Sequence, residues 1–293
     1  MQRLPLEAGV VESAKRMNSV RSLAEVVKMC ETPWGLQGYS PLLEHNYLLL
    51  DVASMENQAG SVEWAALASR LRLLPCPVIA VGKVTARELL RGVDVVVDSV
   101  QEATALIRNI DQHPLAAMTL VQVLRHNEDV GPAQGLLVES LAYASLQGGA
   151  EFAQVKKAIH SVRQPSIVAQ DAGSPVVVER RHNELHIALN RPHARNAYSI
   201  AMRDSLYEAL QLLKMDTDLS GAVINGEGSC FCIGGDLAEF GTAPDTATAH
   251  AIRCSRSVAQ LLLELGAKLQ FRLHRACIGS GVELSAFGAR VVA

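Results

Sequence analysis

The sequence has few charged residues, few aromatic residues and no long apolar run. Only 19% of its 293 residues are charged and 4% are aromatic, whereas 49% are hydrophobic. The formal net charge is −3 without a block of like charges, so we expect no nucleic-acid surface. No apolar run reaches the ~20 residues of a membrane span, and residues 1–21 carry charges instead of the apolar segment of a signal peptide. These absences predict a compact globular protein in the cytoplasm, with an aliphatic interior and no contact with a membrane.

Closely spaced cysteines are also scarce. The six cysteines stand at positions 30, 76, 230, 232, 254 and 277, and only Cys230 and Cys232 are near each other. A single C-x-C pair does not have the spacing of a zinc site. We therefore predict reduced, mostly packed thiols and no bound metal.

The most informative stretch is residues 226–240, which reads G-E-G-S-C-F-C-I-G-G-D-L-A-E-F. It follows a short apolar run at 222–224 and leads into a helix start, where we expect Asp236 to act as a cap. Glycine adopts backbone angles that are closed to other residues, so such a loop can point backbone N–H groups into a cleft. One donor from this loop could hold an oxygen atom.

A second loop of the same kind lies at residues 275–284, R-A-C-I-G-S-G-V-E-L. It also follows an apolar run, at 269–273, and precedes a short helix. The negative charge that develops on a carbonyl oxygen is best stabilised by two fixed donors. Two glycine loops that each offer an N–H group therefore indicate an oxyanion hole.

Taken together and in this order, the motifs resemble the enoyl-CoA hydratase/isomerase, or crotonase, superfamily. The resemblance covers residues 176–293 and implies an incomplete crotonase-like ββα spiral core that binds acyl-CoA. A mainly helical α/β domain at 1–163 and a linker at 164–175 would precede this core. The matching segments are L-N-R-P at 189–192, R-N-A at 195–197, F-C-I-G-G-D-L at 231–237, G-S-G-V-E-L at 279–284 and R-V-V-A at 290–293.

The first half of the chain is not part of an ordinary crotonase, and two interpretations of it stay open. It is either a degenerate crotonase-like half without the glycine loops or an ordinary α/β segment. Within it, the pattern at 135–152 resembles the C-terminal helices of crotonases. Apolar periodicity predicts strands at 47–52, 78–81 and 93–97 and helices at 101–111, 115–127, 133–147 and 151–161.

The C-terminal half has a clearer pattern. Two alternating strands, at 176–178 and 185–189, are separated by a turn at His182 and Asn183. Ser199 is expected to cap a helix that ends at residue 215, and we predict one long helix at 246–265.

The resemblance also implies the residues of an active site. The backbone N–H groups of Gly235 and Ser280 would hold the thioester oxygen, and Glu283 occupies the position of one of the two family glutamates that act as general acid or base. No cofactor is implied beyond the coenzyme A of the substrate, and the family assembles as homotrimers or hexamers. The further substrate-binding residues implied are Arg195, Asn196 and Ala197 beside the CoA nucleotide, and Asp236, Leu237 and Ala238 at the acyl-CoA channel.

The implied function is that of an enoyl-CoA hydratase/isomerase-type enzyme that stabilises an enolate of an acyl-CoA thioester. The alternative is a non-catalytic acyl-CoA-binding or subunit-interaction protein on a degenerate crotonase scaffold. Two departures from the family pattern bear on this choice. The second family glutamate has no counterpart in the 293 residues, whose last residue is either the natural end or the end of a fragment, and Arg275 stands where the family has a small glycine. That arginine either crowds the turn or points outward.

Overall fold

The computed structural model describes residues 20–53, 55, 62–162 and 173–293. Its internal contacts divide the chain into two units, Met1–Glu128 and Asp129–Ala293. Each unit combines a β-sheet with helices, which confirms the predicted α/β class. Among the described residues, every helix is too short or too polar to cross a membrane.

The first unit is built on a four-stranded parallel sheet whose strands lie in sequence order, β1-β2-β3-β4. The strands are β1 (Arg21–Ser22), β2 (Leu48–Asp51), β3 (Val78–Val81) and β4 (Val95–Val97). The helices are α1 (Leu23–Cys30), α2 (Trp64–Arg72), α3 (Val100–Gln112) and α4 (Pro114–Asn127).

Both faces of this sheet are buried. On one face Leu48, Leu50 and Val78 share an apolar cluster with residues of α1 and α2, and on the other Leu49 and Ile79 pack with residues of α3. Parallel strands that are covered on both faces have nearly continuous apolar sequences, because neither set of side chains meets water. The buried strand predicted at 78–81 is therefore confirmed.

The second unit contains a five-stranded sheet in the order β5-β6-β7-β8-β9. The first two strands form an antiparallel hairpin, and the remaining neighbours are parallel. The strands are β5 (Val176–Arg181), β6 (Glu184–Leu189), β7 (Gly221–Gly226), β8 (Leu269–Arg272) and β9 (Arg290–Val292). The helices are α5 (Pro132–Gln147), α6 (Ala150–Val162), α7 (Ile200–Met215), α8 (Thr246–Ser255), α9 (Val258–Leu265) and α10 (Ser280–Ser285).

Only one face of the second sheet carries the apolar core. Ile187 and Leu189 of β6 belong to a cluster that includes Leu210 of α7 and Leu262 of α9. Successive side chains of a strand point to opposite faces of the sheet. The polar residues of β6 therefore lie on the face opposite the apolar core. The predicted N-cap is confirmed, since Ser199 Oγ accepts the N–H of Met202 at 3.2 Å.

The prediction of one long helix at 246–265 is wrong. The segment forms two helices, α8 and α9, which are separated at Arg256 and Ser257. Ser257 Oγ accepts the N–H of Gln260 at 3.1 Å and thereby caps the second helix. Hydroxyl capping satisfies a helix N–H that has no partner within the helix, so it favours a new helix start at this position.

Helices α5 and α6 fall into the second unit, although the sequence analysis placed them in the first domain. Ser140 of α5 lies 2.9 Å from His250 Nδ1 of α8, and Glu139 forms an ion pair of 3.1 Å with Arg253. Residues 163–172, which include most of the predicted linker, lie outside the described residues.

Candidate active site

The first glycine loop connects β7 to a short 3-10 helix, Leu237–Glu239. Gly234 has a φ of 96°, a conformation that side-chain-bearing residues rarely adopt. Its carbonyl accepts the N–H of Tyr198 at 2.8 Å, and the N–H of Asp236 donates to the carbonyl of Tyr198 at 3.0 Å. These two bonds fix the backbone on both sides of Gly235.

The second glycine loop runs beside the first. The N–H of Cys232 donates to the carbonyl of Ala276 at 3.2 Å, and the N–H of Ile278 donates to the carbonyl of Cys232 at 3.0 Å. Cys232 and Cys277 thus pair as in a parallel sheet. A Cβ atom placed on Gly235 would lie 3.9 Å from Ser280 Oγ. The structure therefore brings together the two predicted donor residues.

The backbone N–H groups of Gly235 and Ser280 donate no hydrogen bond to any described residue. Both residues are half-buried, and Ser280 is the first residue of α10, after Gly279 with a φ of 51°. The first N–H groups of a helix have no partner within the helix, which accounts for the free N–H of Ser280. Two unused donors thus lie on adjoining, well-bonded loops.

Glu283 lies in the first turn of α10, three residues after Ser280, and is exposed. Its N–H donates to the carbonyl of Gly279 at 3.0 Å. The carboxylate is thus presented to solvent on the helix that begins at the second donor. Its predicted role as general acid or base stays a prediction.

Asp236 has the capping role expected for it, because its Oδ1 accepts the N–H of Ala238 at 3.0 Å. Its Oδ2 also lies 3.7 Å from Arg191 Nη1, and both side chains are less than one-fifth exposed. Leu237 is exposed and Ala238 is half-buried. Their predicted contact with an acyl-CoA channel stays a prediction.

The segment 195–197 supports the first glycine loop from inside. Asn196 is fully buried; its Oδ1 accepts the N–H of Arg191, and its Nδ2 donates to the carbonyls of Glu227 and Cys230, at 2.8 to 3.0 Å. The Asn196 amide therefore forms hydrogen bonds with the backbone of the protein itself. The sequence analysis had predicted that Asn196 binds the substrate. Arg195 is exposed and Ala197 is buried.

Residues 179–285 match the family model described as enoyl-CoA hydratase/isomerase. This part of the chain belongs to the enoyl-CoA hydratase/isomerase, or crotonase, superfamily.

Curated relatives are similar to about a third of the chain or less. The mitochondrial Delta(3,5)-Delta(2,4)-dienoyl-CoA isomerase of Mus musculus is 30% identical over 122 residues, which are 37% of this chain and 36% of that protein. The 2,3-dehydroadipyl-CoA hydratase of Escherichia coli K12 is 36% identical over 80 residues, 27% of this chain and 31% of that protein. The chain thus spans about a third of the length of these relatives. A solved enoyl-CoA hydratase of Mycobacterium smegmatis is 29% identical, with a TM-score of 0.37 over 41% of this chain and 47% of that one.

Two thiols of the paired glycine loops are not suited to act as nucleophiles. Burial raises the pKa of both Cys232 and Cys277, so both thiols stay protonated at neutral pH. No group of three or more metal-ligating side chains occurs in the described ranges.

The sequence analysis missed Phe240, which lies against the first donor residue. A Cβ atom placed on Gly235 would be 2.9 Å from both Cε1 and Cζ of the Phe240 ring. Phe240 stands in the motif itself, but its ring position depends on how the chain turns after the 3-10 helix. Sequence spacing alone does not give that turn.

Arg275 has a φ of 51° and is exposed. The family glycine at this position agrees with the left-handed backbone, which glycine adopts without strain. The sequence left open whether the Arg275 side chain crowds the turn or points outward. The exposed side chain agrees with the second interpretation.

A cavity of about 520 Å³ lies on the polar face of the second sheet, away from the apolar core. Neither Gly235, Ser280 nor Glu283 lines it. The cavity is therefore separate from the paired glycine loops. Its lining residues are Val177, Glu179, Arg181, His186, Ala188, Asn190, Asn225, Glu227 and Arg272.

Proposed function

We propose that this chain is an enoyl-CoA hydratase/isomerase-type enzyme whose Gly235 and Ser280 N–H groups bind the carbonyl oxygen of an acyl-CoA thioester. The observation that supports the proposal is that both N–H groups, on adjoining loops, have no acceptor among the described residues. When a proton leaves the carbon beside the carbonyl, negative charge develops on the oxygen. Two fixed donors stabilise this enolate more than the neutral thioester, and that difference lowers the barrier.

Glu283 is the carboxylate that we assign to proton transfer. It lies on the helix that begins at Ser280 and is accessible from solvent. A positioned carboxylate that exchanges a proton with the acyl carbon completes an enolate mechanism. The named relatives include hydratases and an isomerase, so the proposal covers both hydration and double-bond isomerisation.

The remaining parts of the proposal follow from the family. Coenzyme A enters as part of the substrate and no other cofactor is needed, while the exposed Arg195 is available to a CoA phosphate. We further propose that the protein is cytoplasmic and forms a homotrimer or hexamer. Light scattering of the purified chain would test the oligomeric state.

The test of the oxyanion hole is a pair of substitutions at Ser280. Proline is well tolerated as the first residue of a helix, so Ser280→Pro removes the N–H with little expected distortion. Ser280→Ala is the matched control, because it removes the hydroxyl and keeps the N–H. Calorimetric titration with butyryl-CoA and with its thioether analogue S-butyl-CoA, which lacks the carbonyl, measures the contribution of the oxygen.

We expect Ser280→Pro to weaken butyryl-CoA binding by up to about tenfold while leaving the thioether unaffected. Turnover of crotonyl-CoA should fall by about 10²- to 10³-fold, as for the loss of one oxyanion donor in other enzymes. Ser280→Ala should behave like the unchanged chain. Equal binding of thioester and thioether by the unchanged chain would refute the proposed role of the donors.

A further inference from the structure

The turn that follows the first glycine loop is anchored on both sides of Phe240. On one side, Glu239 Oε2 accepts the N–H of Ile200, at the start of α7, at 2.5 Å. On the other side, the carbonyl of Gly241 accepts a hydrogen bond of 2.7 Å from Lys156 Nζ of α6. The chain on both sides of Phe240 is therefore held by contacts outside the loop itself.

Helix α6 fits Gly241 closely. Gly241 has a φ of 67°, and a Cβ atom placed on it would lie 2.6 Å from Cε1 of Phe152 and 3.5 Å from Lys156 Nζ. No other residue can take this position without displacing the Phe152 ring. Residues of α6, which lie outside the part that matches the family model, thus hold the turn that carries Phe240.

The Phe240 ring lies beside Gly235, the first of the two donor residues. A Cβ atom placed on Gly235 would lie 2.9 Å from Cε1 and Cζ of the ring and 3.9 Å from Ser280 Oγ of the second loop. An oxygen held by the N–H groups of Gly235 and Ser280 would have its carbonyl carbon, and the atoms bonded to it, beside this ring. The aromatic edge limits the space for substituents at that point.

We propose that Phe240 restricts the substrate to acyl groups that are unbranched beside the carbonyl, and that Lys156 is the positioning residue that holds Phe240 in place. This inference rests on the proposed function, since it assumes that the carbonyl oxygen binds between the two loops. Phe240 acts by contact with the acyl group. Lys156 acts through the backbone of Gly241.

The experiment compares the binding of butyryl-CoA with that of isobutyryl-CoA, which carries one methyl branch beside the carbonyl. Both are saturated, so calorimetry measures their affinities without turnover. The variants are Phe240→Ala, Lys156→Met and the conservative Lys156→Arg. Phe287→Ala is the matched control, because it truncates another half-buried phenylalanine of the same unit.

We expect the unchanged chain to prefer butyryl-CoA by about tenfold or more, the usual effect of one carbon atom in a closely fitting pocket. Phe240→Ala should bring the ratio close to one by tightening isobutyryl-CoA binding. Lys156→Met should lower the ratio by about threefold to fivefold, with restoration in Lys156→Arg, whose guanidinium can still donate to the Gly241 carbonyl. Phe287→Ala should leave the ratio unchanged.

Three failures are distinguishable. If butyryl-CoA binds but the ratio is the same in Phe240→Ala as in the unchanged chain, the selectivity role of Phe240 is refuted and the oxyanion hole is retained. If Lys156→Met shifts both affinities equally, its positioning role is refuted in the same way. If the folded, unchanged chain binds neither thioester, the proposed function fails together with this inference.

Discussion

The two units of the chain are both built on a sheet whose strands lie in sequence order, but they bury their sheets differently. In the first unit, the apolar residues of β2 and β3 are covered on both faces. In the second unit one face carries the core, and the other is polar and open enough to hold a cavity. The glycine loops with unused donors also belong to the second unit.

Polar groups are used in opposite ways in the two units. In the first, the guanidinium of Arg125 is nine-tenths buried and donates to Asp94 and to the carbonyls of Arg72, Leu74 and Cys76. In the second, the N–H groups of Gly235 and Ser280 have no partner in the described part of the chain. A buried polar group without a partner costs free energy, so such groups tend to be kept where a ligand supplies the partner. The comparison therefore agrees with the proposed binding of a ligand at the glycine loops of the second unit.

The largest expected effect is on catalysis. Glu283→Gln should lower kcat for crotonyl-CoA by about 10²- to 10⁴-fold, since it removes the proposed proton-transfer group, and should leave butyryl-CoA affinity within about twofold. The control is Glu102→Gln, which makes the same change in the first turn of α3 in the first unit. Kinetic assays measure both variants. A loss of activity in Glu283→Gln but not in Glu102→Gln would support the assignment of catalysis to the second unit. A normal kcat in Glu283→Gln would assign proton transfer to another group.

The next effect is on stability. Arg125→Met leaves Asp94 and three carbonyls without their partner in a buried setting, and we expect it to lower the free energy of unfolding by about 3–5 kcal/mol. The control is Lys214→Met in the second unit, where the ion pair with Glu264 is nearly half exposed. That change should cost at most about 1 kcal/mol.

Urea unfolding can follow the two units separately. Both tryptophans, Trp34 and Trp64, belong to the first unit, so their fluorescence reports on Arg125→Met. Far-UV circular dichroism reports on the whole chain and on Lys214→Met. Comparable losses in both variants would contradict the view that the buried pair of Arg125 stabilises the chain more than the half-exposed pair of Lys214 does.

Much of the local structure could be predicted because it depends on neighbouring residues. The apolar run of β3 and the alternation of β6 distinguish a sheet covered on both faces from one covered on a single face. The caps at Ser199 and Asp236 follow from residue type and position. The break at Ser257 was also accessible, because S-x-x-Q at 257–260 is a capping-box sequence within an otherwise helical pattern.

The parts that could not be predicted depend on tertiary contacts. The position of Phe240 on Gly235 results from bonds to α6 and α7, and the pattern of its own loop does not contain them. Asn196 lies in the matching R-N-A segment, yet its amide is used by the backbone of the first glycine loop. Family resemblance identifies such positions, but it does not separate a residue that contacts the ligand from one that supports the loop.

The smallest expected effect concerns Glu239 and the pH dependence of stability in the second unit. Burial raises the pKa of Glu239, the N–H of Ile200 opposes this rise, and the neighbouring charge of Asp236 adds to it. The folded chain therefore binds more protons than the unfolded chain between the ordinary pKa of 4.5 and the raised value. The contribution is fully present below the ordinary pKa, and stability from this residue is lost as the pH rises through the raised pKa.

Glu239→Gln stays neutral at every pH, and its amide oxygen can still accept the N–H of Ile200. The variant should match the unchanged chain below pH 4.5 and be more stable at neutral pH, when urea unfolding is followed by circular dichroism. The opposite result would be a variant that matches the unchanged chain at pH 4 but is less stable than it at neutral pH. That result would show that the charged carboxylate stabilises α7 more than its burial destabilises the fold. In that case a charged carboxylate would hold the turn that carries Phe240, just as a charge pair holds Arg125 in the first unit. The contrast between the two units would then be weaker than their contacts indicate.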